Sequence, residues 1–328
     1  MKKNRKRLAV ISAIGIAAVV GVLMVSKPTP KTARPPTENV IQNTGGSHLN
    51  VAPSLDGAKQ NPDEASSKKT ALSAPILDRY NGSKDLREFV LYALQHPERG
   101  GTYYAAQVLS QCKSIVAGKY FKQVQTPYSI GKNDEKYGAI SKATDILRAR
   151  CSNFIADELS DSRISEVKSN GLRDKDPLLL AEKAFLEKTT GLSNSNEEQK
   201  QNRKAALTQL LATQDPMVIE DIGPRIALQA DPDTGMRGYK FNGHFYPLTS
   251  DTDVGLAIYL LPCGLGLNCD STEFDVVNRC ASGVECSDSR MDYVKNMLRE
   301  KPGAYEKVMQ VYEDMINAIA RESVSSFL

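Results

Sequence analysis

Six cysteines, at 112, 151, 263, 269, 280 and 286, constrain the fold more than any other feature, because an even set of thiols staples together whichever segments carry it. They mean disulfides only in an oxidising compartment. The N-terminus points to one. Lys2, Lys3, Arg5, Lys6 and Arg7 precede an uncharged, mostly apolar run from Leu8 to Val25, which closes at Ser26 and Lys27. This is the pattern of an export signal. As a helix the run is about 27 Å long, close to the ~30 Å of a bilayer core. It has no A-x-A cleavage site, and no Cys follows it to take a lipid. Residues 1–26 therefore favour an uncleaved signal anchor, crossing the bacterial inner membrane once through residues 8–25 with the positive end inside. The alternative, a cleaved signal peptide, would give a soluble periplasmic protein.

The chain is +3 overall, but residues 1–27 hold six cations and no acid, which leaves 36 cations against 39 anions beyond them. The basic balance belongs to the export segment. No nucleic-acid partner is expected, since the rest of the chain has no net basic charge with which to grip phosphates. Residues 27–75 carry seven of the sixteen prolines, no aromatic residue and no Cys. Such a composition cannot bury enough apolar surface to offset its ordering entropy, so a Pro-rich linker is expected. Residues 76–328 are left as the folded domain.

Helical spacing dominates that domain. Leu86, Phe89, Val90, Ala93 and Leu94 form one stripe with Ser83 as a candidate cap, and Tyr104, Ala105, Val108, Leu109 and Cys112 form another over about 102–117. A third helix is expected over about 134–159, with Tyr137, Ile140, Thr144, Leu147, Cys151, Phe154 and Ile155 on one face. Asp176-Pro177 and Asp215-Pro216 each set a capping acid before a first-turn proline. Ser195 with Glu198 has capping-box spacing, and Gly191 can close the helix before it. Met291, Val294 and Leu298 mark a penultimate helix, and Pro302 opens the last. Asn242-Gly243, flanked by aromatics from Tyr239 to Tyr246, signals a hairpin. The expected fold is mainly α: an irregular array of antiparallel helices with one small β-hairpin, stapled by disulfides.

Candidate chemistry is sparse. There is no H-E-x-x-H, G-x-S-x-G or G-x-x-x-x-G-K-[ST] motif, and the three histidines, His48, His96 and His244, are scattered. Asp231, Asp233, Asp251 and Asp253 read as turn and cap acids rather than as a calcium loop. No metal or other cofactor is expected. The C-x₅-C-x₁₀-C-x₅-C spacing of the last four cysteines lacks the paired short spacings of a zinc site. Tyr239, His244, Tyr246 and Asp251 form the candidate ligand groove. The leading expectation is a membrane-tethered periplasmic helical module that binds or scaffolds a protein or other cell-envelope partner. The alternative is a helical cell-wall hydrolase using a carboxylate pair such as Glu182 with Asp251.

The block from His96 to Cys112, with its Pro97-Glu-Arg-Gly-Gly-Thr-Tyr-Tyr-Ala105 core, together with Arg150-Cys151 and the two C-terminal Cys-x₅-Cys pairs, resembles uncharacterised exported helical proteins of Gram-negative bacteria. The resemblance implies export and a helical domain, and it supplies no functional residues.

Cys112 and Cys151 lie on the buried stripes of consecutive helices and are expected to bond to each other. Four cysteines remain, with three possible connectivities. Cys263–Cys280 with Cys269–Cys286 is preferred slightly, on the expectation that the ends of two antiparallel helices meet.

Overall fold

The computed structural model of the protein describes residues 71–117, 135–189, 197–231, 233–248 and 253–328. The expected anchor and nearly all of the linker lie outside these residues, as do Gly191, Ser195 and Asp251. No helix among the described residues is long and apolar enough to cross a membrane.

Twelve α-helices and a three-stranded sheet make up the described fold. The helices are α1 Ala74–Asn81, α2 Leu86–Ala93, α3 Gly101–Val116, α4 Glu135–Cys151, α5 Asp161–Arg173 and α6 Pro177–Lys188. They continue as α7 Glu197–Leu211, α8 Pro216–Ile226, α9 Asp253–Gly264, α10 Phe274–Ala281, α11 Arg290–Leu298 and α12 Ala304–Ala320. The domain is thus mainly α, as its periodicity predicts. Helix α3 lies near the centre and packs along α2 and α5, while α9 packs along α8 and α12, α10 along α4, and α6 along α7. The sequence reason is plain in α3: Tyr103, Tyr104, Ala105, Ala106, Val108, Leu109, Cys112 and Ile115 are all buried, so the helix is apolar around most of its circumference. Tyr80, Phe89, Tyr103 and Tyr104 form an edge-to-face cluster with ring centroids 5.4 to 6.4 Å apart. Such pairs contribute roughly 0.5–1.5 kcal/mol each beyond area burial.

Two glycines place α3. Gly100 ends a short 3₁₀ turn with φ +83, and a Cβ there would overlap the Leu178 side chain; a Cβ on Gly101 would overlap the Ala93 carbonyl oxygen. A side chain at Gly100 would be strained by its left-handed φ, and one at Gly101 would force the backbone to move.

The expected caps Asp176 and Asp215 do more than end their own helices. Asp176 Oδ1 accepts from Leu178 N and Leu179 N at the start of α6, and its Oδ2 accepts from Tyr103 N at the start of α3. Helix α3 starts at a glycine, which has no side chain to cap it, so the acid comes from elsewhere in the chain. Asp215 caps α8 through Val218 N at 2.9 Å, and also accepts from Tyr104 Oη at 2.9 Å and from Ser73 Oγ at the start of α1. Both carboxylates are fully buried. Burial pushes both above the ordinary aspartate range, and the hydrogen bonds they accept only partly offset it.

Several boundaries differ from expectation. The first helix begins at Ala74, ahead of the expected domain start at 76. Asp85, not Ser83, caps α2, accepting from Arg87 N and Glu88 N. The third expected helix stops at Cys151 and resumes only as a 3₁₀ turn, Ala156–Leu159. There Arg87 grips Glu158 bidentately at 2.8 to 3.0 Å, and the Glu158 carboxylate accepts from Ile155 N. Pro302 precedes α12 rather than opening it, with Gly303 at the cap. The hairpin is present as β2 Arg237–Phe241 and β3 His244–Pro247, and its Asn242-Gly243 turn has φ 48 and 78. A third strand, β1 Leu228–Ala230, pairs antiparallel with β2. Three residues are too few for alternation to show in sequence.

Cys112 and Cys151 are bonded, joining α3 to α4 with Cα atoms 5.4 Å apart. The C-terminal pairing is corrected: the bonds are Cys263–Cys269 and Cys280–Cys286, each closing its own local ring. The reason is a capping geometry used twice. At the end of α9, Leu267 N bonds to Pro262 O and Gly266 N to Cys263 O; at the end of α10, Val284 N bonds to Arg279 O and Gly283 N to Cys280 O. Both are paired Schellman bonds turning on a left-handed glycine, Gly266 at φ 106 and Gly283 at φ 74. Each turn folds the chain back so that the second cysteine meets the helix it has just left. Three disulfides are compatible with an exported, non-cytoplasmic protein.

Candidate functional site

The residues singled out in sequence do not converge. Tyr239 and Tyr246 face each other across β2 and β3, and their neighbour Phe241 is buried against Phe327 at 5.3 Å. This sheet face packs on the core. His244 is exposed at the turn beside the Tyr246 ring, 6.5 Å away, and Asp251 lies outside the described residues. Asp231 Oδ1 holds its own turn through Asp233 N, Thr234 N and Thr234 Oγ1. Glu182 meets Lys168 Nζ at 3.3 Å and also contacts the Asp221 side chain. Burial raises the Glu182 carboxyl, Lys168 opposes this, and Asp221 adds to it.

Charge is instead concentrated where α1, α3, α8, α10 and α11 converge. Arg290 is 1% exposed, the largest fully buried side chain among the described residues. Its five N–H groups are all used. Nε donates to Glu273 Oε2 at 3.2 Å and Nη2 to Glu273 Oε1 at 3.0 Å; Nη2 and Nη1 donate to the two Glu220 oxygens at 3.1 and 2.5 Å, and Nη1 also to Tyr259 O at 3.2 Å. Glu273 also caps α10 through Asp275 N and Val276 N. Burial works against the Arg290 charge, but the two carboxylates outweigh it and hold the guanidinium above its ordinary value. Burial raises Glu220, with Arg290 opposing. Next to this triad, Asp275 Oδ2 accepts from Tyr259 Oη and from Arg279 Nε, both at 2.7 Å, and the Arg279 guanidinium lies 4.7 Å from the Tyr259 and Tyr293 rings.

A cavity of about 180 Å³ opens over this network, lined by Tyr80, Gln111, Glu220, Glu273, Asp275, Asn278 and Arg290, with Met217, Leu267 and Phe274 as its apolar wall. One polar group of this lining is unspent. Gln111 Oε1 is buried without a partner. Tyr80 is 3% exposed, and burial pushes its phenol up, with Glu273 and Glu220 adding to this and Arg150 and Arg290 opposing it. A buried acceptor such as Gln111 Oε1 without a partner is unfavourable unless something else supplies a donor. A larger groove of about 560 Å³ runs between α6 and α7, next to Leu72, Leu178 and Leu180. Its lining is mainly hydrocarbon and offers no charge to select a ligand.

Sequence reasoning passed over this site, though one signal was present: Arg290, Val294 and Leu298 share the inner stripe of α11, and a cation on such a stripe needs a buried partner. Tyr80 carried no such signal. Among the described residues no group of three or more His, Cys, Asp or Glu side chains is placed to hold a metal ion. Comparison with protein-family models, with curated proteins and with solved structures returns no match.

Proposed function

We propose that this protein is a periplasmic binding module, tethered to the inner membrane through residues 8–25, whose helical domain captures a small polar ligand in the cavity over Arg290. One observation carries the reading: a cavity over the buried Arg290 triad is lined by a buried side-chain oxygen, Gln111 Oε1, that no group of the domain satisfies. Ligand sites are concave, largely pre-formed and supplied with a few convergent polar groups, and this cavity has each property. The linker composition of residues 27–75 and the export pattern of residues 1–26 support a domain held away from the membrane surface. The hydrolase alternative has less support, since Glu182 is engaged by Lys168 and lines none of the cavities described above.

The test is ligand-observed NMR on the full-length protein in detergent, against a library of small polar compounds that includes cations, anions and neutral amides. Asn278→Leu, which fills the cavity from α10, serves as the control. Binding by any class that disappears in Asn278→Leu supports the module. If no compound distinguishes the two proteins, the cavity is not a ligand site.

A further inference from the structure

The charges around the cavity bear on what it would hold, a step that rests on the binding reading above and narrows it to a chemical class. Glu220, Glu273 and Asp275 line the space with Arg290, and Arg279 stands behind Asp275 at 2.7 Å. Another guanidinium, Arg150 on α4, lines a narrower recess that shares Tyr80, Glu273 and Phe274 with the cavity. Three acids are thus matched by three guanidiniums, and the formal balance is zero. The unspent groups are of opposite kind. Gln111 Oε1 is a buried acceptor without a donor, and Arg150 Nε is a buried donor without an acceptor. Arg150 Nη1 is given to Thr272 O at 3.1 Å, and all five N–H groups of Arg290 are spent on Glu220, Glu273 and the Tyr259 carbonyl. The fold also ties the two orphans together. Gln111 and Arg150 directly precede the bonded Cys112 and Cys151, whose Cα atoms are 5.4 Å apart. Their own Cα atoms therefore lie within about 13 Å of each other, a gap that two long side chains and a small molecule can bridge. At ~30 Å³ per water, 180 Å³ is room for about six waters, enough for a molecule of about five non-hydrogen atoms.

We infer that the cavity over Arg290 takes a small neutral carboxamide, whose carbonyl oxygen accepts from Arg150 Nε and whose N–H donates to Gln111 Oε1. A primary amide carries one acceptor oxygen and two donor hydrogens on adjacent atoms, which matches one orphan of each kind. Its second N–H has the lone pairs of Glu220 and Asp275 to meet. An organic cation would upset the balanced lining and offer nothing for Arg150 Nε to donate to. A carboxylate would upset it in the other direction and set a third acceptor against Gln111 Oε1. A zwitterion keeps the balance, but buries two full charges with only one orphan to meet each, and the desolvation of an ion far exceeds that of an amide.

Size-matched probes separate these cases: propionamide as neutral amide, propylamine as cation, propionate as anion and alanine as zwitterion, each titrated calorimetrically into the full-length protein in detergent at neutral pH. Propionamide is expected to bind saturably, and the other three at least tenfold more weakly. Asn278→Leu and Gln111→Met should each weaken propionamide binding at least tenfold, and Arg150→Lys, which keeps the charge but loses Nε–H, several-fold. Because Gln111 Oε1 has no partner in the fold, Gln111→Met should melt within a degree or two of wild type, which separates a binding role from a structural one. Propionamide binding that is unchanged in both Gln111→Met and Arg150→Lys overturns the inference. Propylamine, propionate or alanine binding as tightly as propionamide overturns the assignment to neutral amides while leaving a binding module in place. If none of the four probes binds at millimolar concentration, the orphans are met by water alone and this inference fails; the binding reading itself falls only if the wider library also finds nothing.

Discussion

Burying a carboxylate far from any cation costs free energy, yet Asp176 and Asp215 are both fully buried and each joins the starts of helices that are distant in sequence. Their value lies in the number of donors each one satisfies. Asp215→Ala strands Ser73, Tyr104 and the first turn of α8 together, and is expected to cost about 3 kcal/mol by urea denaturation. Asp215→Asn should cost less at neutral pH, because it keeps an acceptor and removes the buried charge. The pH dependence follows from the raised folded-state value of Asp215. The folded protein holds a proton there at pH values where the unfolded chain, near the ordinary ~3.9, has lost it. Stability from this group is therefore fully present below about pH 4 and is lost as pH rises through the raised value. Wild type should lose stability relative to Asp215→Asn as pH rises above about 4, and an unchanged difference counts against the burial argument. Gly101→Ala tests the α2–α3 junction: the overlap with the Ala93 carbonyl should destabilise by about 1–3 kcal/mol, whereas Gly138→Ala, in open space on α4, should be neutral or slightly stabilising.

At the level of elements, the sequence was informative wherever a helix has one apolar face and a recognisable cap. Helices α2, α3, α6, α8 and α12 were expected close to where they stand, and the Cys112–Cys151 bond followed from two stripes alone. The cavity was less legible because it is assembled from five separate helices, and no local pattern records which will converge. The C-terminal pairing was legible but went unread. Cys263-Gly-Leu-Gly266-Leu-Asn-Cys269 and Cys280-Ala-Ser-Gly283-Val-Glu-Cys286 share the spacing Cys-x₂-Gly-x₂-Cys, which puts a glycine where the helix must turn left-handed. This spacing marks a helix-capping turn rather than two packed helix ends. Non-reducing peptide mapping should recover the two local bonds, and any peptide joining Cys263 to Cys280 would contradict the ring geometry. The rings should also matter less than the long staple. Their cysteines are six residues apart against 39 for Cys112–Cys151, so the chain-entropy model gives about 2 kcal/mol per ring and about 4 kcal/mol for the staple. Paired Cys→Ser variants should rank in that order.

For the whole molecule, these contributions bear on where the chain can work. Summed, the three bonds contribute on the order of 8 kcal/mol, as large as the net stability of a typical domain, about 5–15 kcal/mol. A domain that depends so heavily on its disulfides is poorly suited to a reducing cytoplasm, and this agrees with the export pattern at residues 1–26. We expect the full-length protein treated with excess dithiothreitol to lose most of its thermal stability, with a fall of roughly 20 °C or more in Tm. Deleting residues 2–27, so that the chain stays in the cytoplasm, should yield reduced and largely insoluble or degraded protein, rescued when the same deletion is made in a strain with an oxidising cytoplasm. The mature N-terminus gives a separate reading of topology: intact Met1 in the membrane fraction supports the anchor, and a new terminus between residues 20 and 30 would show cleavage and a soluble periplasmic protein. Reduced protein with an unchanged Tm would mean that packing around α3 holds the fold by itself, and the inference from disulfides to compartment would then fail.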